Sequence, residues 1–481
     1  MGLHAGARRQ RGWIHLVTLL CLMLPLTLLP SASSVRADEP DYFAETSFGV
    51  YQPLIRRFFF QQGGVATFGN PLSREFRFRG RAVQVFQQAV LATAPDRSVA
   101  PLDVAAEGLP ARGGENFRAV LVGDSLAPEL AAVLQGNPLL RQYDLAAHRG
   151  PVRPADLPDT DLTDAFRPLP YSNPAYGVVV NPQGSPQEVR QVLDRLNVRS
   201  WWGGYDEDDP APYYRLHFLK RAPDSAAQVA AQPGSYWTIN DEVNVPGQGL
   251  TDPDEYAVRF RAYKQALQAA DPTAKLVAPN ILNWEETCRG CPGITQGKAW
   301  VDQFRQAYLN RYREEPPVDV WAIHPYAVDW TNLPMVDAAH VKRELAAFRG
   351  YLDAIDGQRG KPIWVTELGL IWGYDGVSWR EEAPGVWKAS AVGAYRDDLI
   401  EAYLNDVLDW LETDGQALGI ERWFVFGAGP SIERYAAVPT GLYLVDGYQE
   451  GSNLTRLGRL YTCRAAGLMP DADSGGCKQR G

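Results

Sequence analysis

Two carboxylates sit at the ends of stretches built for a protein interior. Glu367 closes KPIWVTELG (361–369), in which Ile363 to Thr366 suit a strand buried in a core. A charge there is costly unless partners or chemistry require it. Glu242 follows a second such stretch in SYWTINDEVN (235–244), and His324 and Tyr326 end a third, VDVWAIHPY (318–326). A lone carboxylate at a strand end commonly accepts backbone N–H groups. Two that converge on one cavity can divide labour. One stays ionised and attacks an anomeric carbon; the other stays protonated and donates to the leaving oxygen. With His and Tyr between them in chain order, Glu242 and Glu367 point to glycosidic-bond chemistry.

Something must bring together residues that lie 125 positions apart. From Tyr176 the chain alternates between strands and helices. Strands are read at 176–180, 198–204, 214–220, 235–240, 275–282, 318–326, 361–367 and 421–427. Helical stripes fill several of the gaps. Tyr256, Phe260, Tyr263 and Leu267 share one face, as do Trp300, Phe304, Tyr308 and Tyr312, and then Val341, Leu345, Phe348, Leu352 and Ile355. Eight apolar strands alternating with helices predict an α/β fold of the (β/α)₈ barrel type. An open, doubly wound sheet would favour a Gly-rich nucleotide loop after its first strand, and VNPQGSPQ is not one. Barrel chemistry sits at the C-terminal strand ends. There the fourth strand gives Asn240, Asp241 and Glu242, the sixth His324 and Tyr326, and the seventh Glu367. Strands four and seven face each other across such a barrel.

These strand ends resemble glycoside hydrolase clan A, over about residues 171–465. YWTINDEVNVPGQG is similar to the clan's Asn-Glu-Pro segment, WAIHPY to its His-x-Tyr, WVTELG to its nucleophile strand, and RWFVF supplies a strand-eight tryptophan. The resemblance implies a retaining glycosidase with Glu367 as nucleophile and Glu242 as acid/base. Tyr326 would then hydrogen-bond Glu367, His324 would hold substrate or the acid, and Trp423 would form the floor under the cleaved sugar. Asn240 and Asp241 would touch substrate. Asp241 stands where the clan has Asn, and Val243 where it has Pro. The Asp241 charge would raise the pKa of Glu242, which suits a proton donor. The same change opens a second reading, a catalytically inactive glycan-binding barrel of the cell envelope.

Of 14 tryptophans, 13 follow residue 200, and flat indoles stack well on the C–H faces of sugar rings. The stretch GLIWGYDGVSWREEAPGVW (369–387) is expected to be a long loop at the active face, with Trp372 as a substrate contact.

The remainder of the 481 residues bounds the setting. Arg8, Arg9 and Arg11 precede an apolar run from Trp13 to Leu29 and then small residues, the layout of a cleaved signal peptide over 1–37 and of a secreted protein. Its removal takes four arginines and no acid, leaving 43 basic against 57 acidic residues, or −14. Nucleic acid is excluded as a partner on charge, and a neutral carbohydrate fits. No cofactor or metal is expected, and the protein is read as a monomer. Four cysteines remain, with three possible pairings; sequential pairing, Cys288–Cys291 and Cys463–Cys477, is favoured. Residues 38–110 form a β-rich accessory module. Its LIRRFFFQQGGVATFGNPLSREF resembles the LGFP-like modules of exported bacterial proteins, which implies a possible role in envelope attachment. Residues 111–170 read as a connecting segment, 171–468 as the barrel domain and 469–481 as a tail.

Overall fold

The computed structural model of the chain describes residues 41–78, 80–102, 165, 167–180, 186–203, 213–219, 226–246, 248–249, 251–289, 293–383, 386–429, 442–447, 451–471 and 475–479. The stretch expected as a signal peptide, 1–37, and most of the expected connecting segment, 111–170, lie outside these residues.

Glu39 onward forms one compact unit. It opens with a short hairpin, β1 (Tyr42–Phe43) and β2 (Phe48–Gly49), followed by helices α1 (Pro53–Gln61) and α2 (Gly64–Phe68). A four-stranded antiparallel sheet follows, β3 (Phe76–Phe78), β4 (Arg81–Val85), β5 (Val90–Thr93) and β6 (Val99–Pro101). Phe43, Phe59, Phe68 and Phe86 pack as its core.

The barrel is closed and parallel. Its strands run in chain order: β7 (Tyr176–Val179), β8 (Ser200–Trp202), β9 (Tyr214–Phe218), β10 (Tyr236–Thr238), β11 (Lys275–Leu282), β12 (Val320–His324), β13 (Ile363–Gly369) and β16 (Ile420–Phe426). Each falls within a residue or two of a stretch expected from sequence, so the (β/α)₈ barrel with a β-rich module before it is the observed fold. The flanking helices are α3 (Pro186–Arg195), α4 (Ala226–Ala231), α5 (Pro253–Ala270), α6 (Gly297–Tyr312), α7 (Ala338–Asp353), α8 (Asp397–Trp410) and α9 (Arg456–Ala465). All three aromatic or aliphatic stripes turn inward: Tyr256, Phe260, Trp300, Phe304, Val341 and Leu345 are buried against the strands. Asp252 caps α5 through the Asp254 and Glu255 amides, with Pro253 at the first helical position.

Inside the barrel, side chains from successive strands form an apolar plug of Val179, Trp202, Leu216, Val277, Trp364 and Phe424. Outward residues of the same strands meet the helices. The stretch expected as a loop after β13 is instead a hairpin, β14 (Tyr374–Ala383) and β15 (Val386–Tyr395), with ten residues in each strand. Valine, tryptophan and alanine on alternate positions let it pair as a ribbon.

Of the two expected cysteine pairings, Cys463–Cys477 is present. Cys463 and Cys477 form a disulfide with Cα atoms 5.5 Å apart, tying the tail strand β17 (Cys477–Lys478) to α9. Cys288 is also disulfide-bonded, and Cys291 lies outside the described residues.

Candidate active site

Above the apolar plug lies a polar layer. The Asn280 amide donates to Thr238 Oγ1 (3.1 Å) and to the Asn240 carbonyl (2.8 Å), and its own Oδ1 accepts from Thr366 Oγ1 (3.2 Å). One buried asparagine therefore joins the ends of strands β10 and β13, the two that lead to Glu242 and Glu367. Asn244 extends the bracing: it donates to the Leu282 and Thr295 carbonyls and accepts from the Leu282 amide. The segment carrying Asp241 and Glu242 is thus stitched to β11. Gly249 passes so close that a Cβ there would lie 1.7 Å from the Asp241 carbonyl oxygen. Sequence reading missed Asn280, Asn244 and Gly249. The available signal was a polar residue inside the apolar stretch KLVAPNIL.

The expected acids meet at one imidazole. His324 Nδ1 lies 3.1 Å from Glu242 Oε1 and 3.6 Å from Glu367 Oε2. The two carboxylate oxygens therefore lie within about 7 Å of each other, the upper bound for two contacts of one atom; retaining glycosidases hold their carboxyls roughly 5–5.5 Å apart and inverting ones roughly 6.5–9.5 Å. Tyr326 Oη donates to Glu367 Oε2 at 2.9 Å. The Tyr326 ring lies over Gly369, where any Cβ would come within 2.4 Å of it. Asp241 accepts from the Glu242 amide (3.1 Å), and its carboxylate, a His324 nitrogen and Glu367 lie within 4.8 Å of one another. The Glu242 and Glu367 side chains keep 12% and 11% exposure.

Glu367 reaches the cluster through a break in strand alternation. Val365 pairs with Trp423 and Leu368 with Val425, so β13 spends three residues where β16 spends two. Val365 and Leu368 both face the helices as a result. The extra residue in such a bulge re-aims a side chain, and Glu367 turns to Tyr326 and His324. Asn280 owes its inward position to a similar shift between Val277 and Asn280. His324 needs no such device: Val320, Ala322 and His324 alternate inward.

The electrostatics follow from burial and crowding. Burial alone would depress the His324 imidazole, but the charges of Glu367, Asp241 and Glu242 and the Glu242 hydrogen bond outweigh it and hold the pKa at about 9. Burial raises Glu367, and Asp241 and Glu242 add to the rise, while His324 and the Tyr326 hydroxyl oppose it. Asp241 is also raised, first by burial. Groups this close titrate as a unit. His324 Nε2 is buried without a hydrogen-bond partner among the described residues.

Not every candidate joins the cluster. Trp423 is fully buried in the layer between barrel and helices, edge-on to Tyr176 at 5.0 Å. Phe424 and Phe426, its neighbours of opposite parity, face the interior instead. Trp423 is therefore corrected from sugar floor to packing residue. Trp372 is also fully buried; its indole donates to the Gly376 carbonyl at 3.0 Å. Asn240 sits at the edge of the site with its carbonyl held by Asn280, and its side-chain oxygen is buried without a partner among the described residues. A cleft of about 320 Å³ lies to one side, lined by Glu286, Arg289, Asp329 and His340 but by none of the clustered acids. Its charged groups are paired with one another and with Arg343, so it has the character of a surface ion network.

The glycosyl hydrolase catalytic core family matches residues 219–461, more than half the chain. The chain belongs to that family. The match takes in strands β10 to β16 and every residue of the acid cluster. Among solved structures, the chain is similar to a GH128 endo-β-1,3-glucanase from Pseudomonas viridiflava, at 19% identity over 60% of this chain and 96% of that one, with a TM-score of 0.40. It is also similar to a GH128 curdlan-specific exo-β-1,3-glucanase from Blastomyces gilchristii in complex with glucose, at 20% identity over 60% and 99%, TM-score 0.37. A third is a GH128 endo-β-1,3-glucanase from Amycolatopsis mediterranei in complex with laminaritriose, at 18% identity over 61% and 100%, TM-score 0.37. No curated protein matches the chain.

Proposed function

We propose that this family member is an exported glycosidase that cleaves O-glycosidic bonds of a neutral oligo- or polysaccharide by retaining double displacement. The observation that carries the reading is the pair Glu242 and Glu367 converging on the one His324 nitrogen. In this reading Glu242 donates its proton to the glycosidic oxygen as the Glu367 carboxylate attacks the anomeric carbon. The leaving saccharide departs as an alcohol and the glycosyl group stays on Glu367 as an ester. Glu242, now ionised, takes a proton from water, which cleaves the ester and frees the sugar with its original configuration. The Tyr326 hydroxyl and the His324 cation favour the ionised form of Glu367 and aim it, opposing without cancelling the rise that burial imposes.

Asp241 fits this mechanism despite replacing the asparagine of clan A. Burial favours its neutral form. Charged or neutral, its carboxyl oxygens accept hydrogen bonds and can bond a sugar hydroxyl in the same place. The signal peptide over 1–37, the LGFP-like module over 38–110, the segment 111–170, the barrel domain 171–468 and the tail belong to the same proposal of a secreted, monomeric enzyme.

The test is product stereochemistry. The protein is incubated with soluble β-1,3-glucan, β-1,4-glucan, mannan and xylan, and the first sugars released are followed by proton NMR. Retention of the anomeric configuration is expected, with Glu242→Gln lowering turnover about 10²–10⁴-fold. Inverted product would overturn the mechanism. Polymer binding with no product from any substrate would favour the inactive glycan-binding barrel.

A further inference from the structure

The hairpin β14–β15 begins five residues beyond Gly369, the last residue of the Glu367 strand, and its two faces differ. Trp379 pairs with Ala389, Glu381 with Trp387 and Val377 with Ala391, so these six residues share one face. The opposite face carries Ser378, Arg380, Glu382, Lys388 and Ser390, with Glu382 paired to Arg380 (2.8 Å) and Lys388 (3.8 Å).

On the first face Val377 and Ala389 pack on the core, while the two indoles stay open. Trp379 is 45% and Trp387 57% exposed. Trp379 stands edge-on to Trp330 at 4.8 Å, and Trp330 lies 5.6 Å from the buried Trp372. Trp330 belongs to the segment that follows β12, six residues beyond His324. The indoles thus climb from the segments that follow strands β12 and β13, the strands of His324 and Glu367, out along the hairpin. Trp379 and Trp387 are diagonal cross-strand neighbours, with Cα atoms roughly 7–8 Å apart, a spacing that suits two separate sugar rings rather than one. Large indoles left in water on one face of a ribbon whose other face is charged mark a binding surface. The face has no basic side chain among those six residues and the chain carries a net charge of −10, so a polyanion is disfavoured.

We infer that this face is a platform for a neutral glycan chain, with Trp379 and Trp387 stacking on sugar rings away from the bond being cleaved. The inference rests on the glycosidase reading above and extends it to substrate length. Binding is measured in the Glu367→Gln background, so that polymer survives, with the same four polysaccharides as probes. Trp379→Ala with Trp387→Ala is expected to weaken the best-bound polymer at least tenfold, Trp387→Tyr to restore part of the loss, and Arg380→Ala on the charged face to change nothing. Circular dichroism melts check that the variants fold; Trp387→Ala alone, at the more exposed position, serves if the double variant does not. Unchanged affinity in the tryptophan variants would overturn the platform, as would binding of none of the four polymers by the parent. So would a dimer of the wild type that these variants abolish, since a second copy would then cover the face. Hydrolysis by the wild type reads the glycosidase proposal separately, and the platform can fail while that activity stands.

Discussion

The two mouths of the barrel are built on opposite terms. At the N-terminal mouth the accessory region seats directly on the strand starts. Tyr51 inserts between Tyr213 and Tyr214, with ring centroids 5.4 Å from each. Arg74, nearly fully buried, pairs with Asp194 and donates to the Arg167 carbonyl. Arg57 pairs with Asp271 (2.8 Å) and Arg190 with Glu75 (3.0 Å). Arg422 lies over the rings of Tyr214, Tyr236 and Trp364 and donates to Ser200 Oγ. Each of these cations meets an acid or an aromatic face. At the C-terminal mouth three acids share one imidazole, whose second nitrogen has no partner among the described residues. One end is neutralised pair by pair; the other holds surplus negative charge in a buried place. The difference teaches where the fold spends stability. Crowded acids resist ionisation, and the chemistry proposed above needs one of them ionised and another protonated.

The largest break in the comparison comes from Glu367→Gln. Turnover is expected to fall about 10⁴-fold or more, read by reducing-sugar release. Stability should move the other way. A carboxyl whose folded pKa is raised binds its proton more tightly in the folded state, so the fold loses stability as pH rises above the ordinary value of 4.5. The variant escapes that loss. Its melting temperature should exceed that of the wild type at pH 8 and converge with it at pH 4. A variant less stable at pH 8 would remove the claim that the acid cluster is strained.

Tyr51→Ala probes the sealed mouth. It removes a buried ring from the seam between module and barrel and should cost about 3–5 kcal/mol by denaturant unfolding. Folded protein below the transition should keep its kcat/KM, because the ring packs against Tyr213 and Tyr214 at the strand starts and not against the acid cluster. Equal stability would mean that the seam contributes nothing, and the module would then be an appendage.

The smallest expected effect sharpens the open mouth. Tyr326→Phe deletes the hydroxyl that donates to Glu367. Glu367 then ionises less readily, and the acidic limb of the kcat/KM profile should move about 0.5–1 pH unit upward. A shift toward acid pH would show that the hydroxyl does not serve the ionised form.

Much of this arrangement was legible beforehand, and particular residues show why. All eight strands announced themselves as apolar runs, and His324 follows from alternation along Val320 to His324. Trp423 misled because it lies one residue out of phase with Phe424, and phase relative to the barrel axis is not written in a motif. The hairpin was read as a loop because Gly376, Pro384 and Gly385 mask the alternation around them.

By itself the sequence determined the local quantities: where strands and helices begin, which helical faces are apolar, and that acids stand near strand ends. These depend on neighbours a few positions away. Tertiary structure alone decided that Glu367 and Asn280 point inward, because each turns on a bulge, and a bulge exists only relative to the register of a partner strand. It also decided that the N-terminal module closes the far mouth, since Tyr51 and Arg74 gain their partners only after more than a hundred residues have folded into place. Alternation is a property of one strand, whereas convergence of two carboxylates on one imidazole requires the closed barrel.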